Sequence, residues 1–210
     1  MSETAAVSAE VRERHEITTQ LGMWGFLATE VLFFGGFFMA YALYRHSYPE
    51  AFAEGGRHMA FGLGTTNTAL LLISSVFVAI ADRAVRAGRR GLTLGCLATA
   101  WLMGLAFLGI KAIEYTQHVS DHLVPGRHFL PGQSSNPRLQ LFMYLYFGMT
   151  GLHAFHMIMG LIAVAWLMNG VRSGRIGPSR PEPVAVIGLY WHFVDCVWVV
   201  LYPLFYLVGR

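Results

Sequence analysis

Charge is scarce in this sequence. Lysine, arginine, aspartate and glutamate make up only 13% of the 210 residues, against roughly 25% in an ordinary soluble domain. Cysteine is scarcer still: Cys96 and Cys196 sit in separate apolar runs, which excludes both a disulfide framework and a cysteine-rich zinc site. The net charge is +3 and the isoelectric point about 9.0, yet the basic residues fall in small groups between apolar runs. No basic face of the kind that binds nucleic acid is formed. The first 20 residues carry Glu3, Glu10, Glu13 and Glu16, the wrong chemistry for a cleavable signal with its basic start and apolar centre, so the first apolar run is expected to be retained. Neither an internal repeat nor a shift in composition marks a second domain. What the sequence does have is 55% apolar residues, 14% aromatics and a mean hydropathy of +0.48. Disordered chains are poor in aromatics and rich in charge, so this chain must bury itself in lipid.

A spanning helix needs about 20 mostly apolar residues. Five stretches qualify, at 22–44, 60–81, 91–113, 139–168 and 184–207. The connections between them read as polar and helix-breaking: His46 to Gly56 with Pro49, Asp82 to Arg90, Glu114 to Arg138 with Pro125, Pro131 and Pro137, and Asn169 to Pro183 with three prolines. The predicted fold is an all-α integral membrane protein, with a polar segment at 1–20 and a five-helix transmembrane domain at 21–210. Nine Lys and Arg residues lie on the N-terminal side of these spans and six on the other. Positive charge favours the cytoplasm, so the N-terminus, 1–20 included, is expected there and the C-terminus outside. Tyr41, Tyr44, Tyr202 and Tyr206 near the span ends suit interfacial belts.

A charge at mid-bilayer costs at least about 2.5–3.5 kcal/mol, which makes the ionisable residues inside spans the informative ones. They are Glu30 in the first span, His153 and His156 in the fourth, and His192 and Asp195 in the fifth, with Lys111 and Glu114 at the outer end of the third. Counting about 1.5 Å per residue from the cytoplasmic ends brings four of the first five to one depth. Residues three apart lie on nearly the same helix face, so His153/His156 and His192/Asp195 should each face one way. Glu30 has only Phe26, Leu27, Phe33 and Phe34 one turn away and must find any partner on another helix. Such a layer suits a hydrogen-bonded cluster that fixes helix packing. It equally suits a proton-responsive or lipid-contacting group, or metal or haem ligation, since carboxylates and histidines on facing helices build bundle metal sites. The hydroxyl run Thr65, Thr66, Thr68, Ser74 and Ser75 with Asn67 suits helix packing. Gly35, Gly36, Gly148, Gly151 and Gly160 read as close-contact faces, and Phe33, Phe34, Phe37 and Phe38 as a lipid or partner-helix surface.

Three segments taken together resemble subunit III of the haem-copper oxidases: WGFLATEVLFFGGFFMAYALYR from Trp24 to Arg45, YFGMTGLHAFHMIMG from Tyr146 to Gly160, and YWHFVDCVWVVLYPLFYL from Tyr190 to Leu207. LGTTNTALLLISS and KAIEY fall between them in the expected order. The likeness is to the short, five-span form, without the first two helices of the long form and without the lipid cleft that needs them. It implies a subunit with no redox centre of its own, haem and copper being held by partner subunits. Such a subunit packs on the catalytic subunit I, beside subunit II, and supports proton delivery during oxygen reduction in a bacterial cytoplasmic membrane. By resemblance Glu30 is the buried carboxylate linked to carbodiimide reactivity and bound phospholipid. His153 and His156 match the T-G-x-H-x-x-H segment, His192 and Asp195 the H-F-V-D segment, and Glu114 with Tyr115 the E-Y pair after the third span. Cytochrome c is the expected electron donor. The alternatives are a quinol oxidase, a nitric-oxide-reductase-associated relative and, from another class, an independent membrane haem or metal protein; a transporter is disfavoured by the lack of repeat symmetry.

Overall fold

A computed structural model describes residues 2–125 and 138–209. Arg127, Pro131, Pro137 and Arg210 lie outside the described residues, as do the side chains of Glu3, Glu10, Arg12, Glu13 and Glu16. The chain forms α1 (Ser2–Ser47), α2 (Pro49–Arg57), α3 (Phe61–Arg86), α4 (Arg90–Ser120), α5 (Leu139–Arg172) and α6 (Glu182–Tyr206). Among the described residues, five segments are long and apolar enough to cross a membrane: Ile17–Ser47 of α1 and the whole of α3, α4, α5 and α6. All five predicted spans are therefore present as helices. The third runs to Ser120, seven residues past its predicted end, because Lys111 and Glu114 satisfy each other inside the protein.

Neighbours in sequence pack as neighbours in space, α3 on α4, α4 on α5 and α5 on α6, and α3 closes the ring on α6. Gly88, at φ +71°, takes the left-handed conformation that ends α3 and admits the tight turn into α4. At the same end the Arg90 guanidinium donates to the Arg172 carbonyl, joining two of the arginine-bearing connections. α1 stands outside the ring and, among the described residues, touches α6, α5 and α2 alone. One seam holds it, formed by Leu27, Phe34 and Tyr41 at intervals of seven residues, while Leu32 and Met39 are 77% and 71% exposed. Phe34 thus belongs to the core, packed on Phe193, and only part of the predicted Phe surface faces outward.

The connection after Ser47 is not irregular as expected. It forms α2, with Pro49 in the first turn, where a missing N–H costs nothing and the fixed φ suits a helix. Phe52 of α2 fills the space between Tyr41 and Phe142, and a Cβ on Gly55 would overlap the Phe142 ring. Among the glycines expected at close contacts, Gly160 alone is tightly approached, by the Trp191 ring at 3.3 Å from an added Cβ. Gly35, Gly36 and Gly148 meet nothing within 4 Å. Gly64, under Tyr206, and Gly104, under Trp191, do this work instead. Tyr41 and Tyr206 are also buried and so do not form a belt; the Tyr41 hydroxyl donates to the Leu204 carbonyl.

Candidate functional site

Four of the five hydroxyls in the α3 run make the cross-helix contacts expected of them, all to α6, while Thr66 bonds back to the Gly62 carbonyl of its own helix. Thr68 accepts from the Trp198 indole and Ser74 from the Trp191 indole, both at 3.0 Å. Thr65 bonds the Tyr202 hydroxyl at 2.7 Å and Ser75 shares a 2.5 Å bond with His192 Nδ1. A 3.6-residue period brings each of these to one side of α3. This polar seam fixes the register of α3 against α6.

The predicted layer of ionisable groups is divided. Glu30 meets His156, Oε2 to Nε2 at 3.1 Å, and this is the partner that its own helix could not supply. His156 Nδ1 lies 2.9 Å from the Leu152 carbonyl, which fixes the N–H on Nδ1 and leaves Nε2 to receive a proton from, or donate one to, the carboxyl. The Phe34 ring packs edge-on against the imidazole, with centroids 5.3 Å apart, and Tyr190 donates to the His156 carbonyl at 3.0 Å. His153 does not join this pair. Three residues on an α-helix turn through about 300°, so the two imidazoles point about 60° apart, and in a crowded bundle that selects different neighbours. His153 is held between the Phe107 and Trp198 rings, at centroid distances of 5.4 and 5.1 Å. His192 goes to Ser75 on α3, while Asp195 turns into the core beside Ser75 without a hydrogen bond of its own among the described residues. Instead of a single layer there are one ion-pairing contact at α1 and separate groups in the ring.

The most completely built polar cluster is the one the sequence placed at the outer boundary. The Lys111 ammonium donates to Glu114 Oε2 at 3.0 Å, to the Tyr146 hydroxyl at 2.9 Å and to the Tyr206 hydroxyl at 3.0 Å. Both tyrosines then donate to Glu114 Oε1, at 2.8 and 2.6 Å. All three ammonium hydrogens are used, and each phenol accepts from the cation and donates to the anion. The side chains of Lys111 and Glu114 are 4% and 0% exposed. Four aromatic rings surround the ammonium, Tyr146 nearest at 4.9 Å and Tyr115, Trp198 and Tyr206 within 5.6 Å. Tyr115 extends the cluster through a 2.6 Å bond to Thr150, and His118 Nε2 stands 3.9 Å from Glu114.

Tyr146 and His118 were not singled out in the sequence as site residues, and Tyr206 was read only as an interfacial residue. A signal was available: Phe107, Lys111, Glu114 and His118 follow the 4-3-4 spacing of one helix face, and all four are buried. Among the described residues, no group of three or more His, Cys, Asp or Glu is placed to hold a metal ion. His153, His156 and His192 face three different neighbours and do not converge on a common ligand.

Comparison with known proteins gives a consistent picture. The family profile described as Cytochrome c oxidase subunit III matches residues 139–210. A protein of Thermostichus vulcanus named cytochrome c oxidase subunit 3 is 30% identical over 211 residues, covering 100% of this chain and 96% of its own. Cytochrome bo(3) ubiquinol oxidase subunit 3 of Pseudomonas putida is 29% identical over 194 residues, 91% of this chain and 86% of that one. A longer protein of Aeropyrum pernix, named heme-copper oxidase subunit I+III, is 30% identical over 192 residues, 89% of this chain and 22% of its own length.

Proposed function

The chain belongs to the subunit III family of haem-copper oxidases, and from that premise we propose that it packs on the catalytic subunit I, beside subunit II, and supports proton uptake and stability during turnover. It is an integral, multi-pass accessory subunit of an oxidase complex. The observation that carries the reading is the co-linear match along the whole chain to the Thermostichus vulcanus protein. Subunit I as direct partner is supported by the Aeropyrum pernix protein, whose name joins subunits I and III in one chain. Haem and copper are assigned to those partners, and the membrane to the bacterial cytoplasmic membrane.

Within this chain the proton- or lipid-responsive role is assigned to Glu30 with His156. The carboxyl is engaged through Oε2, on the one spanning helix that stands outside the ring and is reached from the surrounding membrane or partner. The proposed electron donor is cytochrome c. Quinol is the second reading, supported by the ubiquinol oxidase name of the Pseudomonas putida relative.

The test combines capture and mutation. Mass spectrometry of the assembly pulled from native membranes through this chain should return subunits I and II. Oxygen uptake by that assembly with reduced cytochrome c or with quinol then separates the donors. A Glu30→Gln assembly should lose carbodiimide labelling at this position and keep much of its initial oxygen-reduction rate, with any defect appearing as lower proton pumping or faster inactivation. Complete loss of initial activity in a fully assembled Glu30→Gln complex would refute the accessory role of this residue.

A further inference from the structure

Three polar side chains inside the ring have no hydrogen-bond partner among the described residues. They are Asn67 of α3 through both amide atoms, His153 of α5 through both ring nitrogens and Asp195 of α6 through both carboxyl oxygens. Their exposures are 0%, 1% and 3%. A polar group left unsatisfied at membrane depth is heavily penalised, and six such atoms in one bundle require a common explanation.

The helix registers bring the three together. The bonds from Trp198 to Thr68 and from Trp191 to Ser74 set α3 antiparallel to α6. Asp195 is thereby level with Leu71, one turn or about 6 Å along the axis from Asn67. His153 stacks on Trp198, three residues or about 5 Å of rise from Asp195. Further along, the Lys111 ammonium stands 5.3 Å from the centroid of the same Trp198 ring and leads into the Glu114, Tyr146 and Tyr206 cluster. His118 Nε2, also buried and unpartnered, stands at the far side of that cluster.

The chemistry of the six atoms selects the ligand. The Asn67 amide offers donors and an acceptor, a neutral His153 one of each, and Asp195 acceptors. A cation would leave the N–H groups unserved, and an anion would oppose the carboxyl. Water gives and receives hydrogen bonds and makes two to four of them in buried sites. We propose that ordered water molecules bridge Asp195, Asn67 and His153 inside α3, α4, α5 and α6, forming a hydrated polar line that runs from Asp195 to the Lys111–Glu114 cluster. The inference rests on the interior geometry and not on the oxidase reading. A dry interior would leave that reading standing, and failure to co-purify with subunit I would leave the waters standing.

Two measurements on the purified assembly test it. A density map fine enough to resolve solvent should show water peaks within hydrogen-bonding distance of all three side chains; a map in which they bond one another, or pack with no water between them, overturns the proposal. Asn67→Leu and Asp195→Leu should also be coupled through the shared water, so that their combined effect on the equilibrium for detergent-induced release of the chain departs at least tenfold from the product of the single effects. Agreement with that product within twofold overturns the bridge between those two residues. Should a leucine variant fail to assemble, Asn67→Ser with Asp195→Asn runs the same cycle, judged by the same twofold limit.

Discussion

Removing the charge on Glu114 should destabilise the chain more than any hydrogen-bond count suggests. The carboxylate accepts one bond from Lys111 and one each from Tyr146 and Tyr206. Interhelical hydrogen bonds in membranes average about 0.6 kcal/mol, so three of them amount to about 2 kcal/mol. Glu114→Leu also strands the Lys111 ammonium among aromatic rings with no anion, and breaking one side of a buried pair costs about 3–5 kcal/mol. The charge effect therefore exceeds the hydrogen-bond effect. Lys111→Met should cost a similar amount, since it strands the carboxylate. The double variant removes both charges and leaves only the two phenols short of partners, at about 1–3 kcal/mol each at most. The expected coupling between the two substitutions is about 3 kcal/mol, a factor of more than 100 in the equilibrium constant. Release of this chain from the purified complex, titrated with denaturing detergent, provides the free energies for the cycle. Additivity within about 0.5 kcal/mol would show that the two charges do not act on each other and would refute the closed cluster.

The remaining predictions concern orientation and packing. From the nine-to-six excess of Lys and Arg, a reporter placed at Arg89 should be cytoplasmic and one fused after Arg210 external; the reverse labelling would overturn the topology. Gly55→Leu drives a side chain into the Phe142 ring and should cost about 1–3 kcal/mol through overpacking, read as a lower temperature of chain release. An unchanged release temperature would mean that α2 does not seat on α5.

The spans were legible because hydropathy is a property of local sequence, and lipid tolerates little else at that length. The same locality explains the misreadings. Hydropathy charges Lys111 and Glu114 separately and so ends the third span between them, at 113. The groups that neutralise the pair, Tyr146 and Tyr206, come from α5 and α6, up to 95 residues away in sequence. Pro49 read as a breaker because a pattern of residue types does not reveal that Phe52 has a buried place between Tyr41 and Phe142. Helical spacing identified which residues share a rough direction, but not which neighbour receives each one. His153 and His156 show the limit: about 60° of separation sends one to aromatic rings in the core and the other to Glu30. Resemblance drew attention to Glu30, His192 and Asp195, whereas Asn67, buried and unpartnered, resembled every other polar residue in a packing run.

The two ion-pairing sites are built for opposite purposes. At Lys111 every ammonium donor has an acceptor, the Tyr146 and Tyr206 phenols bridge cation and anion, and Lys111 and Glu114 lie under 5% exposed. The arrangement ties α4, α5 and α6 together. At Glu30 the geometry is open. The side chains of Glu30 and His156 are 18% and 11% exposed, and a single bond joins them. The helix that carries Glu30 lies outside the ring and is held by its Leu27, Phe34 and Tyr41 seam, the Tyr41 bond to Leu204 and the Glu30–His156 contact itself, so displacing α1 disrupts fewer contacts than opening the ring would. A group meant to respond to protons or lipids needs such a contact, and a group meant to fix a fold needs the other. That difference is why the responsive role proposed for this subunit is placed at Glu30 and His156, and the structural role at Lys111 and Glu114.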